Sequence, residues 1–186
     1  MERECEDYCE REVILRIEHT ELLSKIHYDR QTGIFTDKKT GKIRGTFDES
    51  NGYYHLQINK KKYYAHRLAW FYVYGVWPDL HIDHINGNRL DNSFLNLREA
   101  TRSENQWNKS FSKSNRLGVK GVRWVANRGR FRATISIDGK YKNVGSFLTL
   151  EEAADAYDKA ALEYFGEYAL TNKMIREREL ESGRSD

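Results

Sequence analysis

Cysteine is almost missing from this sequence: Cys5 and Cys9 are the only two. One pair four residues apart builds neither a zinc ribbon nor a disulfide framework, so reduced thiols in an intracellular protein are expected. Proline occurs once, at Pro78, which opens a connection between two elements. No apolar run reaches the length of a signal peptide or a membrane span, so a soluble, unsecreted chain that needs no membrane is expected. Hydrophobic residues make up 39% of the chain and charged residues 32%, against about 45–50% and 25% in ordinary globular domains. Any core must therefore be small and partly aromatic, and 12 Tyr, 8 Phe and 4 Trp fit that.

At 186 residues the chain has room for one domain or two small ones. The net charge of +3 conceals an uneven distribution. Residues 1–12 set six acids against two arginines, a net −4, whereas residues 118–147 set seven bases against Asp138, a net +6. A local basic surface of that kind is a nucleic-acid signal.

Residues 1–26 read as a charged N-terminal segment: a frayed helix to about residue 17, then a short helix over Glu18–Ile26. From His27 to Tyr64 two Thr-Gly turns and Asn51-Gly52 divide short β-prone runs. Lys60, Lys61 and Lys62 suit either a phosphate backbone or a solvated hairpin tip. Ala65–Tyr74 reads as a helix with His66, Leu68, Ala69, Trp70, Val73 and Tyr74 on its apolar face, stopped by Gly75.

The chemistry concentrates in His81–Asn108. Asp83 and His84 stand together on a strand-like run, Asn86-Gly87 turns the chain, and Asn96-Leu97 brings it back. Thr101-Arg-Ser-Glu104 is a capping box that opens a helix and places Asn105 on its first turn. The spacing predicts strand, loop, strand, helix. Taken singly, asparagines beside Asn-Gly make turns. Together, a carboxylate and an amide oxygen suit Mg²⁺, which binds few protein ligands and keeps most of its waters. The neighbouring imidazole supplies a base, and these are the parts of metal-assisted phosphodiester hydrolysis. Arg98 and Arg102 flank the site, where either can hold the scissile phosphate.

Residues 111–117 are polar and aperiodic and read as a linker, short enough to keep two domains close along one duplex. From Gly118, three β-prone runs follow, turned at Asn127-Arg-Gly129 and Asp138-Gly139. Thr149-Leu-Glu-Glu152 is a second capping box, before a helix running to about Phe165. That helix presents acid outward, so the basic sheet is expected to face phosphates. Residues 173–186 read as a short helix fraying into a tail.

Two resemblances carry these readings further. The DH, NL and EN pairs at their intervals, with HRLAW upstream, resemble the HNH nucleases of the ββα-metal fold, in the phage homing-endonuclease branch whose last letter is asparagine. The resemblance implies that His84 is the general base, Asn96 braces the loop and orients His84, and Asp83 and Asn105 hold one Mg²⁺ or Mn²⁺. Asn92 competes for the middle letter, but Asn96 has the family's spacing. Arg67 would reach a phosphate, whereas His66 is expected only to pack and hydrogen-bond. GVRW, VGSF, EEAADAYDKAA and Asn172 resemble the Apetala/ethylene-response-factor DNA-binding domain, a three-stranded sheet on one helix. By that likeness Arg123 reaches base edges or phosphate, with Arg130, Arg132 and Lys142 on the same sheet. Asn143 stands where plant members have tryptophan, so base preferences do not transfer.

The expectation is an α+β protein with an HNH nuclease domain at 27–110, a linker at 111–117, a DNA-binding domain at 118–172 and a tail at 173–186. It would act on double-stranded DNA, by nicking or by double-strand cutting, to leave 5′-phosphate and 3′-hydroxyl ends, without a small-molecule cofactor. A catalytically silent, sequence-specific DNA-binding protein is the alternative, and a nuclease for branched or damaged DNA a second one.

Overall fold

Thr-Gly and Asn-Gly dipeptides cut the first part of the chain into short strands, because glycine takes the positive φ of tight turns without steric cost. The computed structural model describes residues 17–111, 114–137 and 139–182. The expected frayed helix with Cys5 and Cys9, part of the expected linker, and the Asp138 half of the Asp138-Gly139 turn lie outside the described residues. The fold divides into two units between Glu99 and Ala100. That division lies upstream of the polar stretch at 111–117, and each unit is described by itself.

The first unit opens with α1 (His19–Lys25), followed by the antiparallel sheet of β1 (Ile26–Tyr28), β2 (Phe35–Asp37) and β3 (Ile43–Arg44). A second antiparallel sheet holds β4 (Thr46–Asp48), β5 (Tyr53–Ile58) and β6 (Lys61–Tyr64). Asn51-Gly52 turns β4 into β5, as its sequence predicts. The β5–β6 turn is less legible, because Asn59 and Lys60 both take positive φ (50° and 64°) without a glycine. Asn59 is held there from its side chain, which accepts from Lys25 Nζ at 2.7 Å and donates to Glu21 Oε1 at 2.8 Å.

The expected helix forms as α2 (Ala65–Tyr74), with Gly75 left-handed at its end. Its inner face differs from the expectation: Phe71 is buried, while Tyr74 is 53% exposed. The chain returning after Gly75 lays Trp77 flat on Phe71, with centroids 4.3 Å apart, which fixes the buried side. Leu22, Ile26, Leu56 and Leu68 complete the centre of this core. Next come β7 (His81–His84), a 3₁₀ turn at Phe94–Asn96 and β8 (Leu97–Ala100), with β7 and β8 paired as a two-stranded sheet.

The second unit starts with α3 (Arg102–Trp107), whose capping box forms as expected: Glu104 N donates to Thr101 Oγ1 and Thr101 N to Glu104 Oε2. Strands β9 (Val122–Val125), β10 (Arg130–Ile137) and β11 (Lys140–Phe147) form an antiparallel sheet with β10 central. Across it lies α4 (Leu150–Phe165), and α5 (Asn172–Ser182) follows. The small side chains Ala153, Ala154, Ala160 and Ala161 let α4 sit close on the sheet. Contact is tight enough at Gly121 that a Cβ there would lie 2.0 Å from the Tyr157 ring.

One irregularity matters for what this sheet can bind. Between Ala133 and Thr134 the pairing of β10 with β11 slips, so that Ala133 faces Gly145 but Thr134 faces Asn143. A one-residue slip exchanges the two faces of the strand beyond it.

Candidate active site and nucleic-acid face

Unlike an alternating half-buried strand, β7 buries Ile82, Asp83 and His84 in succession. Successive side chains leave a strand on opposite sides, and here the two polar ones meet different partners. Asp83 meets Arg98 of β8, whose Nε and Nη2 both donate to Asp83 Oδ2, at 3.1 and 2.9 Å. Both side chains are nearly enclosed, with 12% of the arginine and 7% of the aspartate exposed. Arg98, expected to hold a phosphate, is thus found holding the proposed metal-ligand carboxylate.

His84 is packed among other rings. His66 of α2 meets it edge-on at 5.2 Å, and Tyr53 of β5 lies 6.1 Å away. Burial pushes the His84 imidazole below its usual range, against the opposing pull of Asn92 and Asp83. His66 is pushed down to about 3, first by burial and then by His84. Its buried Nδ1 has no hydrogen-bond partner. Both rings are therefore neutral at neutral pH.

The two asparagines of the loop divide the work that sequence assigned to Asn96. Asn92 Oδ1 lies 3.4 Å from His84 Nε2 and accepts its proton when the ring carries it there. Asn96 braces the loop, accepting from Asn86 N at 2.9 Å and donating to the Asp91 carbonyl at 2.8 Å. Further bonds within the loop join Asn86 Nδ2 to Asp91 Oδ2 and Ser93 N to Asp91 Oδ1.

The loop is also fastened from outside, by the β1–β2 hairpin. Tyr28 Oη donates to the Asn92 carbonyl at 2.7 Å, and Phe94 N to the Arg30 carbonyl at 2.8 Å. Gly33 fits against the same peptide so closely that a Cβ there would stand 2.3 Å from the Asn92 carbonyl carbon. None of these long-range partners is marked in sequence. Tyr53 enters the site only through the fold, Asn92 takes the place beside His84 that the sequence left it competing for, and His66 of the HRLAW run packs as expected. Arg89 lies over the Tyr53 ring at 4.7 Å.

Arg67, expected to reach a phosphate, donates to the carbonyls of Pro78 and Leu80 at 3.0 and 3.2 Å and so pins the connection into β7. Asn105 belongs to the second unit, half-buried on the first turn of α3. Among the described residues no three His, Cys, Asp or Glu side chains gather as a metal cage. A donor set of one carboxylate and one amide fits a hard cation that keeps its waters, and not a four-ligand zinc centre.

On the second unit, the register places Arg123 opposite Arg132 on the sheet face turned away from α4, with Arg130 on that same face. Beyond the slip, Tyr141 and Asn143 join them, opposite Ser136 and Thr134. Tyr141 is 83% exposed. Lys142 falls on the other face, opposite the buried Ile135. There its ammonium lies 4.5 Å from the centre of the Tyr164 ring of α4 and donates to the tyrosine hydroxyl. The outward face is thus arginine-rich, and the acids Glu151, Glu152, Asp155 and Glu163 lie exposed on α4.

Comparison with known proteins places both regions. Residues 63–107 match the family model described as HNH endonuclease, and residues 117–167 match that of the AP2 domain. Protein 3.8 of Escherichia phage T7 is 38% identical over 105 residues, covering 56% of this chain and 86% of its own length. An HNH endonuclease, L560, of Acanthamoeba polyphaga mimivirus is 34% identical over 123 residues, covering 65% of this chain and 63% of its own. The ethylene-responsive transcription factor WRI1 of Arabidopsis thaliana is 47% identical over 60 residues, 30% of this chain and 14% of that protein. Among solved structures, the HNH homing endonuclease I-HmuI superposes with a TM-score of 0.40 at 23% identity over 82% of each chain, too distant to support a residue-level comparison. No helix among the described residues is long and apolar enough to cross a membrane.

Proposed function

Because this chain belongs to the HNH endonucleases and carries an AP2 domain, we propose that it cleaves double-stranded DNA with a divalent cation, His84 acting as the general base. The observation that carries the reading is the pairing, on one short strand, of a buried imidazole kept neutral with a buried, ion-paired carboxylate.

A neutral imidazole can accept a proton where a protonated one cannot. With Nε2–H directed at Asn92 Oδ1, the lone pair resides on Nδ1, which takes the proton of the attacking water. Asn92 fixes that tautomer. Asn96 keeps the loop, and hence Asn92, in place. Asp83 and Asn105 are the residues that would hold Mg²⁺ or Mn²⁺. An Arg98 pairing at Oδ2 is compatible with that, since a carboxylate offers about four lone-pair sites. A bound ion would supply Lewis-acid stabilisation of the leaving 3′ oxygen. The products are then 5′-phosphate and 3′-hydroxyl ends. Arg123, Arg130 and Arg132 hold the duplex through its phosphates, and we assign the nuclease to residues 27–110 and this DNA-holding module to residues 118–172.

The test is incubation of the protein with phage or plasmid DNA and Mg²⁺ or Mn²⁺, with mapping of the ends on both strands. Cleavage should stop on chelation and fall about 10²–10⁴-fold in His84→Ala, the usual cost of losing a general base. A gel shift without new ends, or full cleavage by His84→Ala, would remove the proposal.

A further inference from the structure

Helix α3 has six residues, too few to hold itself together, since isolated helices need about 12–15 residues to be even marginal in water. Its first turn is secured by its own capping box. Its last turn is secured by the sheet-and-helix module. The Trp107 ring stacks on Phe165 of α4, with centroids 4.3 Å apart and planes within 11°. The Trp107 carbonyl accepts from Lys120 Nζ at 2.5 Å, and the same ammonium reaches the Leu170 carbonyl at 3.3 Å. A cation at the carbonyl end of a helix also opposes its dipole favourably.

Lys120 is fixed in turn. Its main-chain N–H donates to Asn172 Oδ1 at 2.6 Å, and Asn172 Nδ2 donates back to the Lys120 carbonyl and to Asp158 Oδ1. A flexible lysine stem is thus held at its root by α5 and at its tip by two carbonyls. Burial lowers its ammonium to about 8, against the support of Asp158. A lysine serving only solubility would not be drawn in this way.

We propose that Lys120, with Trp107 and Phe165, is a positioning residue for the nuclease reaction: it fixes α3, and therefore Asn105, to the DNA-holding module so that the two move as one body. This rests on the reading of Asn105 as a metal ligand. The C-terminal module then contributes to turnover as well as to affinity. Weakening the clamp should loosen the amide ligand while leaving the arginine face intact.

Lys120→Met keeps the stem and removes the donors. In the full chain it should cut single-turnover cleavage at saturating protein by about 10–100-fold, the range seen when groups behind a metal ligand are removed. Half-maximal activity should require more Mn²⁺, and the Kd for DNA without metal should stay within about twofold of the parent, as phosphate contacts are unchanged. Trp107→Phe, which preserves a ring on Phe165, should retain most of the rate. An unchanged saturating rate in Lys120→Met, or a loss confined to DNA affinity, overturns the proposal.

Asn105→Ala is measured beside it. If that variant cleaves at the parental rate, the metal-ligand reading falls. If Asn105→Ala is inactive while Lys120→Met is normal, only the clamp falls. Hydrogen exchange on the unaltered chain in mild denaturant gives an answer that needs no folded variant. The amides of Asn105–Lys109 should open together with those of β10 and α4, and opening together with β7 and β8 instead overturns the clamp.

Discussion

Replacing Arg98 by methionine should expose how strongly this fold depends on a cation beside Asp83. The side chain is 12% exposed, its partner 7%, and two donors converge on one carboxylate oxygen. Removing one member of such a pair leaves an uncompensated buried charge, which typically costs about 3–5 kcal/mol. Both groups make further interactions, so the lower end, about 3 kcal/mol, is expected. For a unit of about 100 residues, with about 4–8 °C per kcal/mol, the midpoint should fall by about 10 °C or more.

Two controls separate charge from packing. Asp83→Asn introduced with Arg98→Met removes the stranded charge and should restore most of the loss. Mg²⁺ should raise the midpoint of Arg98→Met more than that of the parent, because the cation then replaces the guanidinium. At 100 times its Kd a ligand specific for the folded state adds about 2.7 kcal/mol. Calorimetry or near-UV circular dichroism with and without Mg²⁺ reads the midpoint of each protein. The reasoning fails if Asp83→Asn gives no relief, or if Mg²⁺ shifts parent and variant equally.

The buried imidazoles predict a pH response of definite sign. Both bind a proton near pH 6.5 when unfolded, but in the folded protein only at lower pH, at about 3 for His66. Their contribution is therefore present above pH 6.5 and lost as pH falls, by up to about 1.4 kcal/mol per unit for each group. Urea unfolding at pH 7.5 and 5 should show that loss, with a shallower slope in His66→Gln, and cleavage should hold its rate below pH 6.5 before declining. Arg132→Ala should lower the salt dependence of DNA affinity by about one phosphate contact, whereas Lys142→Ala, on the opposite face, should leave it unchanged; anisotropy titrations over a KCl series would refute the face assignment if the two behaved alike. Gly33→Ala, with φ of +73° and the Asn92 peptide in its way, should slow cleavage while preserving DNA affinity, and a normal rate would mean that the hairpin does not position the loop.

What could be read from the sequence was what is local. Thr101 and Glu104, or Thr149 and Glu152, reveal a helix start because each capping box closes within four residues. Asp83 and His84 stand out as an adjacent pair. The division of labour between Asn92 and Asn96 was hidden, since both sit in one polar loop and only the packed position of His84 distinguishes them. The opposite facing of Lys142 was hidden too, because a bulge leaves no mark in an alternating strand. Arg98 looked like a phosphate ligand because its partner lies fifteen residues upstream.

The hairpin that fastens the loop after β7 has a consequence for how such a nuclease can be inherited or engineered. The matched segment begins at residue 63, whereas Tyr28, Arg30 and Gly33 grip the loop from far outside it. Transplanting that segment alone onto another carrier would deliver the acid and the imidazole beside a loop that has lost these three grips. The smallest portable cutting unit must start before β1.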